Sequence, residues 1–220
     1  MMVCLAGECL PKVAPTTLKE LTVSADLIVV GKVTKVTSVK GLRVAEVQVT
    51  TTLKGQSPNT IYYLAQPTWI CDTTGATVGE ETLFFFTKYK FDPHPASMAY
   101  VKPAGEPGTY TIEDDVSPLG AFKEPTGFRE QINALVSDSH FWQVSWAGRG
   151  QMQIRELRGT KYVTLWVGDV HLPEGIHTVS GPEPEYSSFI RSAPLAAILD
   201  FLQQQSKATV PRRRVRRSLQ

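Results

Sequence analysis

The 220-residue chain carries 23 basic and 21 acidic residues, and that near balance hides an uneven placement. Lys207, Arg212, Arg213, Arg214, Arg216 and Arg217 follow Gln205 in a segment without an acid, and setting those six aside leaves 17 basic against 21 acidic residues, a body of about −4. Such a body does not draw nucleic acid by its own field, no apolar run reaches the roughly 20 residues of a membrane helix, and the length allows one or two domains.

The chain opens on Met1-Met2-Val3-Cys4-Leu5-Ala6, apolar but too short for a secretory signal and without a basic region ahead of it. Cys4-Leu5-Ala6 before Gly7 is a small-x-small cleavage pattern, so residues 1–8 are expected to be the remnant of a signal peptide that starts upstream. Cleavage after Ala6 would leave two cysteines, Cys9 and Cys71, in place of an odd three.

Leu27 to Val30 is a short apolar run rich in β-branched residues, the pattern of a strand buried on both faces. Gly31 interrupts it and Val33 and Val36 fall out of strict alternation, which predicts a bulge or a bend where a small barrel turns a corner. Lys40-Gly41 is the expected hairpin turn into a second strand over Val44 to Leu53, with Val44, Glu46, Gln48 and Thr50 on one face and Ala45, Val47, Val49 and Thr51 on the other. After the loop Lys54-Gly55-Gln56-Ser57-Pro58-Asn59, Thr60 to Ala65 gives a third strand, Glu81 to Tyr89 a fourth, and Tyr110-Thr111-Ile112 a fifth. Five short strands with turn chemistry between them suit a Greek-key barrel. Phe128, Ile132, Leu135 and Val136 then mark a helix within Glu124 to Val136 that closes this domain, set at residues 9–137.

Residues 138–205 read as a separate antiparallel sheet with one helix. Phe141 to Trp146 is strand-like, Gly148-Arg149-Gly150 is a turn, and Gln151 to Leu157 and Lys161 to Val167 alternate around Gly159. Ser192 is expected to cap a helix with Pro194 in its first turn and Leu195, Ile198, Leu199 and Leu202 along one stripe. Residues 206–220 form a basic, disordered tail that suits an anionic surface or is simply a solvated terminus. The fold class is therefore mainly β with α.

The order of strand, Gly31, strand, Leu53-Lys54-Gly55, Cys71 and Gly79-Glu80-Glu81 leading into Thr82-Leu83-Phe84-Phe85-Phe86 resembles the oligonucleotide/oligosaccharide-binding (OB) barrel of the tissue-inhibitor-of-metalloproteinases and netrin-module type, over about residues 9–135. The resemblance implies an extracytoplasmic OB-like barrel with a Cys9–Cys71 disulfide, a bridge of about 4 kcal/mol in the chain-entropy model. The alternative is three reduced cysteines in a cytoplasmic protein. Inhibitors of this family chelate the protease zinc through a Cys-x-Cys start, whereas Cys4 and Cys9 stand five apart and Gly7-Glu8 precede Cys9, so inhibition is the weakest expectation.

No catalytic set emerges. Asp169, His171, Glu174 and His177 lie within nine residues, but a spacing of six across Pro-Glu-Gly matches no common single-segment metal pattern and reads as polar side chains on the outside of a hairpin. His94 sits between prolines and His140 precedes an aromatic run, neither beside a nucleophile, and there is no Gly-x-Ser-x-Gly or dinucleotide loop. Glu80-Glu81 and Asp114-Asp115 point their carboxylates apart on a strand. No cofactor or metal is expected. Tyr62, Tyr63 and Trp69 at the third strand, with Trp142, Trp146 and Trp166 further on, are either core packing or recognition residues; Trp69 is the best contact candidate if its loop exposes it. The functional expectation is a non-enzymatic binding module for a protein or glycan partner. The alternative is a nucleic-acid-binding barrel helped by the arginine tail.

Overall fold

The structure is a computed structural model that describes residues 15–67, 73–89, 100–103, 110–113, 126–137, 140–146, 148–166, 170–180 and 190–208. In chain order the elements are β1 (Thr16–Thr17), α1 (Leu18–Ser24), β2 (Leu27–Val39), β3 (Leu42–Lys54), β4 (Thr60–Leu64), β5 (Glu81–Lys88), β6 (Tyr100–Pro103), β7 (Tyr110–Glu113), α2 (Phe128–Leu135), β8 (Phe141–Val144), β9 (Gln151–Leu157), β10 (Thr160–Trp166), β11 (Val170–His171), β12 (Val179–Ser180), β13 (Ile190–Pro194) and α3 (Leu195–Ala208). The protein is mainly β with few helices.

β2, β3, β4, β8 and β5 form a closed barrel, because β8 pairs with β4 on one side and with β5 on the other. Counted one to five along the chain, these strands run 1-2-3-5-4-1 around the barrel, and the 3–5 pair, β4 with β8, is parallel. This is an OB-like topology. The β2–β3 hairpin turns at Lys40-Gly41, both with positive φ (51° and 82°), as a tight hairpin turn that follows strand twist requires. Its ladder shifts register at Ile28/Val29, Val30/Gly31 and Val33/Lys35, so the expected bulges are present and β2 bends through them. Gly31 is glycine because the partner strand comes close: a Cβ there would meet Val47 Cγ1 at 2.5 Å and Gln48 O at 3.0 Å.

Tyr110-Thr111-Ile112, expected as the fifth strand of the barrel, belongs to β7, which pairs instead with β6 in a two-stranded sheet. The closing strand is Phe141–Val144, which the sequence reading had assigned to the following sheet. Its inward residues Trp142 and Val144 explain the choice, since they complete the barrel interior beside Phe86. The sheet is also continuous beyond the barrel, as β9 pairs with β5 at Leu83↔Met152, followed by β10, β13 and β12.

Leu27 to Gly31 of β2 and Thr82 to Phe86 of β5 are buried on both faces. Leu27, Val29, Phe84 and Phe86 point into the barrel, while Ile28, Val30, Leu83 and Phe85 point out to a second core with Leu18 and Leu21 of α1 and Leu195, Ile198 and Leu202 of α3. Burying such side chains stabilises the fold by about 1.5–3 kcal/mol each before entropy is counted. α1 is too short for a periodic pattern, yet its ends are well held. Thr17 Oγ1 accepts from Glu20 N (3.0 Å) while Thr17 N donates to Glu20 Oε2 (2.8 Å), a capping box, and Lys54 Nζ donates to the carbonyls of Thr22, Val23 and Ala25 at 2.7, 3.1 and 2.6 Å. The capping hydrogen bonds from Thr17 hold the Glu20 carboxyl below its usual pKa.

The helix expected within 124–136 is α2, which packs Phe128 and Ile132 on Val39, Val44, Leu64 and Phe141 and leaves Leu135 exposed. Ser192 does not cap the last helix: it lies in β13 opposite Thr164, and the chain passes straight from Pro194 into α3. β10 supplies the pairing partners that hold residues 190–194 extended.

Candidate binding face of the barrel

The barrel interior is filled. Tyr63, Phe84, Phe86 and Trp142 stack and tilt against one another, with ring centroids 4.9 Å apart for Phe84–Phe86, 5.4 Å for Tyr63–Phe84 and 6.4 Å for Phe86–Trp142, and Val29, Val33, Val47 and Ile61 pack around them. Two polar atoms inside this core, Thr82 Oγ1 and Trp142 Nε1, have no hydrogen-bond partner.

Residues 73–80 are fastened to the barrel by a polar network. The Tyr63 hydroxyl donates to Gly75 O at 2.7 Å; Gln151 Nε2 donates to the same carbonyl at 2.8 Å and to Glu80 Oε1 at 3.2 Å; Gln153 Nε2 donates to Glu80 Oε2 at 3.2 Å; and Arg43 Nη2 donates to Ala76 O at 3.2 Å. Burial, and then the nearby Glu80 carboxylate, push the Tyr63 phenol well above its ordinary pKa. Tyr63 is thus a core residue with no exposed surface, and its role is to hold this segment rather than to touch a ligand.

A ligand of this barrel must therefore use the outside. Register places two rows of side chains across β2, β3 and β4: Lys35, Glu46 and Tyr62 in one, Lys32, Gln48 and Thr60 in the next. Glu46 organises the first row, accepting from Tyr62 Oη at 3.1 Å and from Thr34 Oγ1 at 2.8 Å. Tyr62 is half-buried, with its inner edge against the α2 cluster. Partial burial, followed by the Glu46 hydrogen bond and charge, raises its phenol pKa. Gln48 Nε2 donates to Asn59 O at 2.9 Å. The face offers a fixed aromatic edge, a carboxylate, two lysines, an amide and hydroxyls. That mixture supplies donors and acceptors for a neutral or mixed-charge partner, and it lacks the uniform positive field of a nucleic-acid groove.

Of the site residues the sequence singled out, the structure thus puts Tyr62 on this face and Tyr63 in the core. Trp69, Cys9, Cys71 and the tail arginines Arg212, Arg213, Arg214, Arg216 and Arg217 lie outside the described residues, as do Cys4, His94, Asp114, Asp115 and Asp169. Trp142 is core, Trp146 is partly exposed, and of Trp166 only the backbone is described. His171 belongs to β11 and pairs in parallel with Thr17, and His171 and His177 are both exposed. Among the described residues no group of three or more His, Cys, Asp or Glu is placed to hold a metal ion, and no helix is long and apolar enough to cross a membrane. Sequence reasoning missed Glu46 as the acceptor shared by Tyr62 and Thr34; alternation groups Glu46 with Val44, Gln48 and Thr50 on one face of its strand, and only register shows what stands beside it. No protein-family model matches the chain, and no curated protein matches it.

Proposed function

We propose that the chain is a non-enzymatic binding module of the tissue-inhibitor-of-metalloproteinases and netrin-like OB type, which meets a protein or glycan partner through the outer face of β3 and β4. One observation carries this reading: the barrel interior is packed with aromatic side chains, while Glu46 holds Tyr62 and Thr34 in a fixed polar row on the outside. Recognition by an OB barrel through that strand pair is the common use of the topology. The test is affinity capture from the medium and cell envelope of the source organism with the wild-type chain and with the Tyr62→Ala, Glu46→Ala double variant. A partner held by the first and lost by the second is the expected result, and a partner held equally by both overturns the assignment of the face.

The setting we propose is extracytoplasmic, supported by the cleavage pattern at Cys4-Leu5-Ala6 and by the pair Cys9 and Cys71 that it leaves. Titration of the mature protein with a thiol reagent under denaturing conditions is expected to find no free thiol at Cys9 or Cys71. Two free thiols there contradict the setting and leave the binding face to be judged by the capture experiment.

A further inference from the structure

β8 and β9 lie end to end along one edge of β5, with Val144 opposite Phe86 and Gln151 opposite Phe84. Ser145, Trp146 and residues 148–150 therefore stand between these two pairings opposite Phe85 alone, as an outsized bulge. The excursion is closely built. Ser145 N donates to Phe85 O at 2.9 Å, Phe85 N to Gly150 O at 2.7 Å, Gly150 N to Ser145 O at 3.0 Å and Arg149 N to Trp146 O at 3.1 Å. A Cβ on Gly148 would run into the backbone of Thr73 and Thr74, and one on Gly150 into Phe85 O at 2.7 Å.

This segment carries two local costs. Trp146 takes a left-handed φ of 52°, and the buried Ser145 Oγ has no hydrogen-bond partner. Among the described residues the other non-glycine ones with positive φ, Lys40 and Arg158, each precede a glycine between paired strands, where a tight turn requires that backbone. Trp146 lies in the bulge itself, where its carbonyl accepts from Arg149 N and no glycine directly follows it, and a bulky residue in this region costs about 1–3 kcal/mol. The conformation presents the indole, which is 40 % exposed, with Nε1 donating to Ser24 Oγ at 3.2 Å. Exposed groups of the same neighbourhood in the fold are Val23 and Asp26, flanking Ser24, and Gln143, opposite Thr87 on the β5–β8 ladder. Local rules broken together at one exposed aromatic point to contact rather than packing.

We propose that Trp146 is a stacking platform for a neutral sugar ring, with Ser24, Asp26 and Gln143 supplying hydrogen bonds to its hydroxyls. The site goes beyond the β3–β4 face and uses none of its residues. The surroundings favour a saccharide over a protein: beside the ring, Val23 is the one large apolar group among those neighbours, whereas a standard protein interface buries about 800 Å² per partner around an apolar centre. One apolar ring with a few polar groups around it matches a pyranose, which has a C–H face and a rim of hydroxyls.

The experiment is a titration of the ¹⁵N-labelled full chain with cellohexaose, chitohexaose, laminarihexaose and mannohexaose, following the four tryptophan indole N–H resonances, with Trp146 assigned by the Trp146→Phe variant. Saturable movement of the Trp146 resonance with at least one of the sugars is expected, weakened by Gln143→Ala. Trp146→Gly relieves the left-handed strain, so it is expected to keep or raise the unfolding temperature while losing apparent affinity by more than about tenfold. No movement of the Trp146 resonance with any of the four, or binding undiminished in Trp146→Gly, overturns the proposal. Either result leaves the Tyr62 and Glu46 capture experiment unaffected, so the two readings fail separately.

Discussion

Tyr63 works at two jobs that its neighbours in sequence do not share. Its ring belongs to the barrel core with Phe84 and Phe86, and its hydroxyl holds Gly75. Tyr63→Phe keeps the ring and removes the hydroxyl, so it is expected to cost about 1–2 kcal/mol in urea unfolding, the value of a buried hydrogen bond whose acceptor loses a donor. The same residue sets an alkaline limit. The folded chain keeps a phenol proton that the unfolded chain gives up near pH 10; the native state therefore binds more protons above that pH. Its contribution is intact below about pH 10 and is lost as pH rises toward the higher folded value. The urea midpoint is expected to fall between about pH 9 and 11, and to fall less in Tyr63→Phe. Adjacent tyrosines in a strand announce that one is in and one is out, but only the register Glu46↔Tyr62 decides that Tyr62 is the outer one.

At the scale of elements, α1 is held from outside itself. It is seven residues long and has no basic residue in its last turn, and Lys54 of β3 supplies the missing cation to the carbonyls at its end. Lys54→Met keeps the stem and removes the donors. It is expected to cost about 2 kcal/mol and to speed amide exchange in residues 18–25 first, which hydrogen exchange read by mass spectrometry checks. The legibility of the elements follows from their locality. The β2–β3 hairpin could be read because Lys40-Gly41 and the alternation around it are neighbours in the chain. The start of α1 is also written locally, in Thr17-x-x-Glu20, but seven residues give no periodic stripe by which to read the helix. The closing strand could not be read, because β8 pairs in parallel with β4 across some 80 residues of chain and no turn joins them. Tyr110-Thr111-Ile112 reads as the fifth strand from its residues; pairing gives that place to Phe141–Val144. Ser192 failed as a cap for a related reason, since its strand partners Thr164 and Val179 come from other parts of the chain.

At the scale of the whole molecule, barrel and following sheet share β5, which pairs β8 with its last residues and β9 with its first. A chain ending at residue 137 lacks the closing strand and leaves edges of β4 and β5 unpaired. It is expected to show no cooperative unfolding transition, where the full chain shows one; a sharp transition in the shorter chain would mean that residues 1–137 close a barrel without Phe141–Val144. The exposed pair Lys161–Glu81, at 2.6 Å across β10 and β5, serves as a control surface, because an exposed ion pair contributes about 1 kcal/mol or less. The most direct measurement is the dissociation constant of the captured partner for three chains: wild type, Tyr62→Ala with Glu46→Ala, and Lys161→Ala with Glu81→Ala. The outer β3–β4 face as the contact surface predicts a loss of about tenfold or more, about 1.4 kcal/mol, in the first variant and none in the second. Equal affinity in all three chains would contradict it.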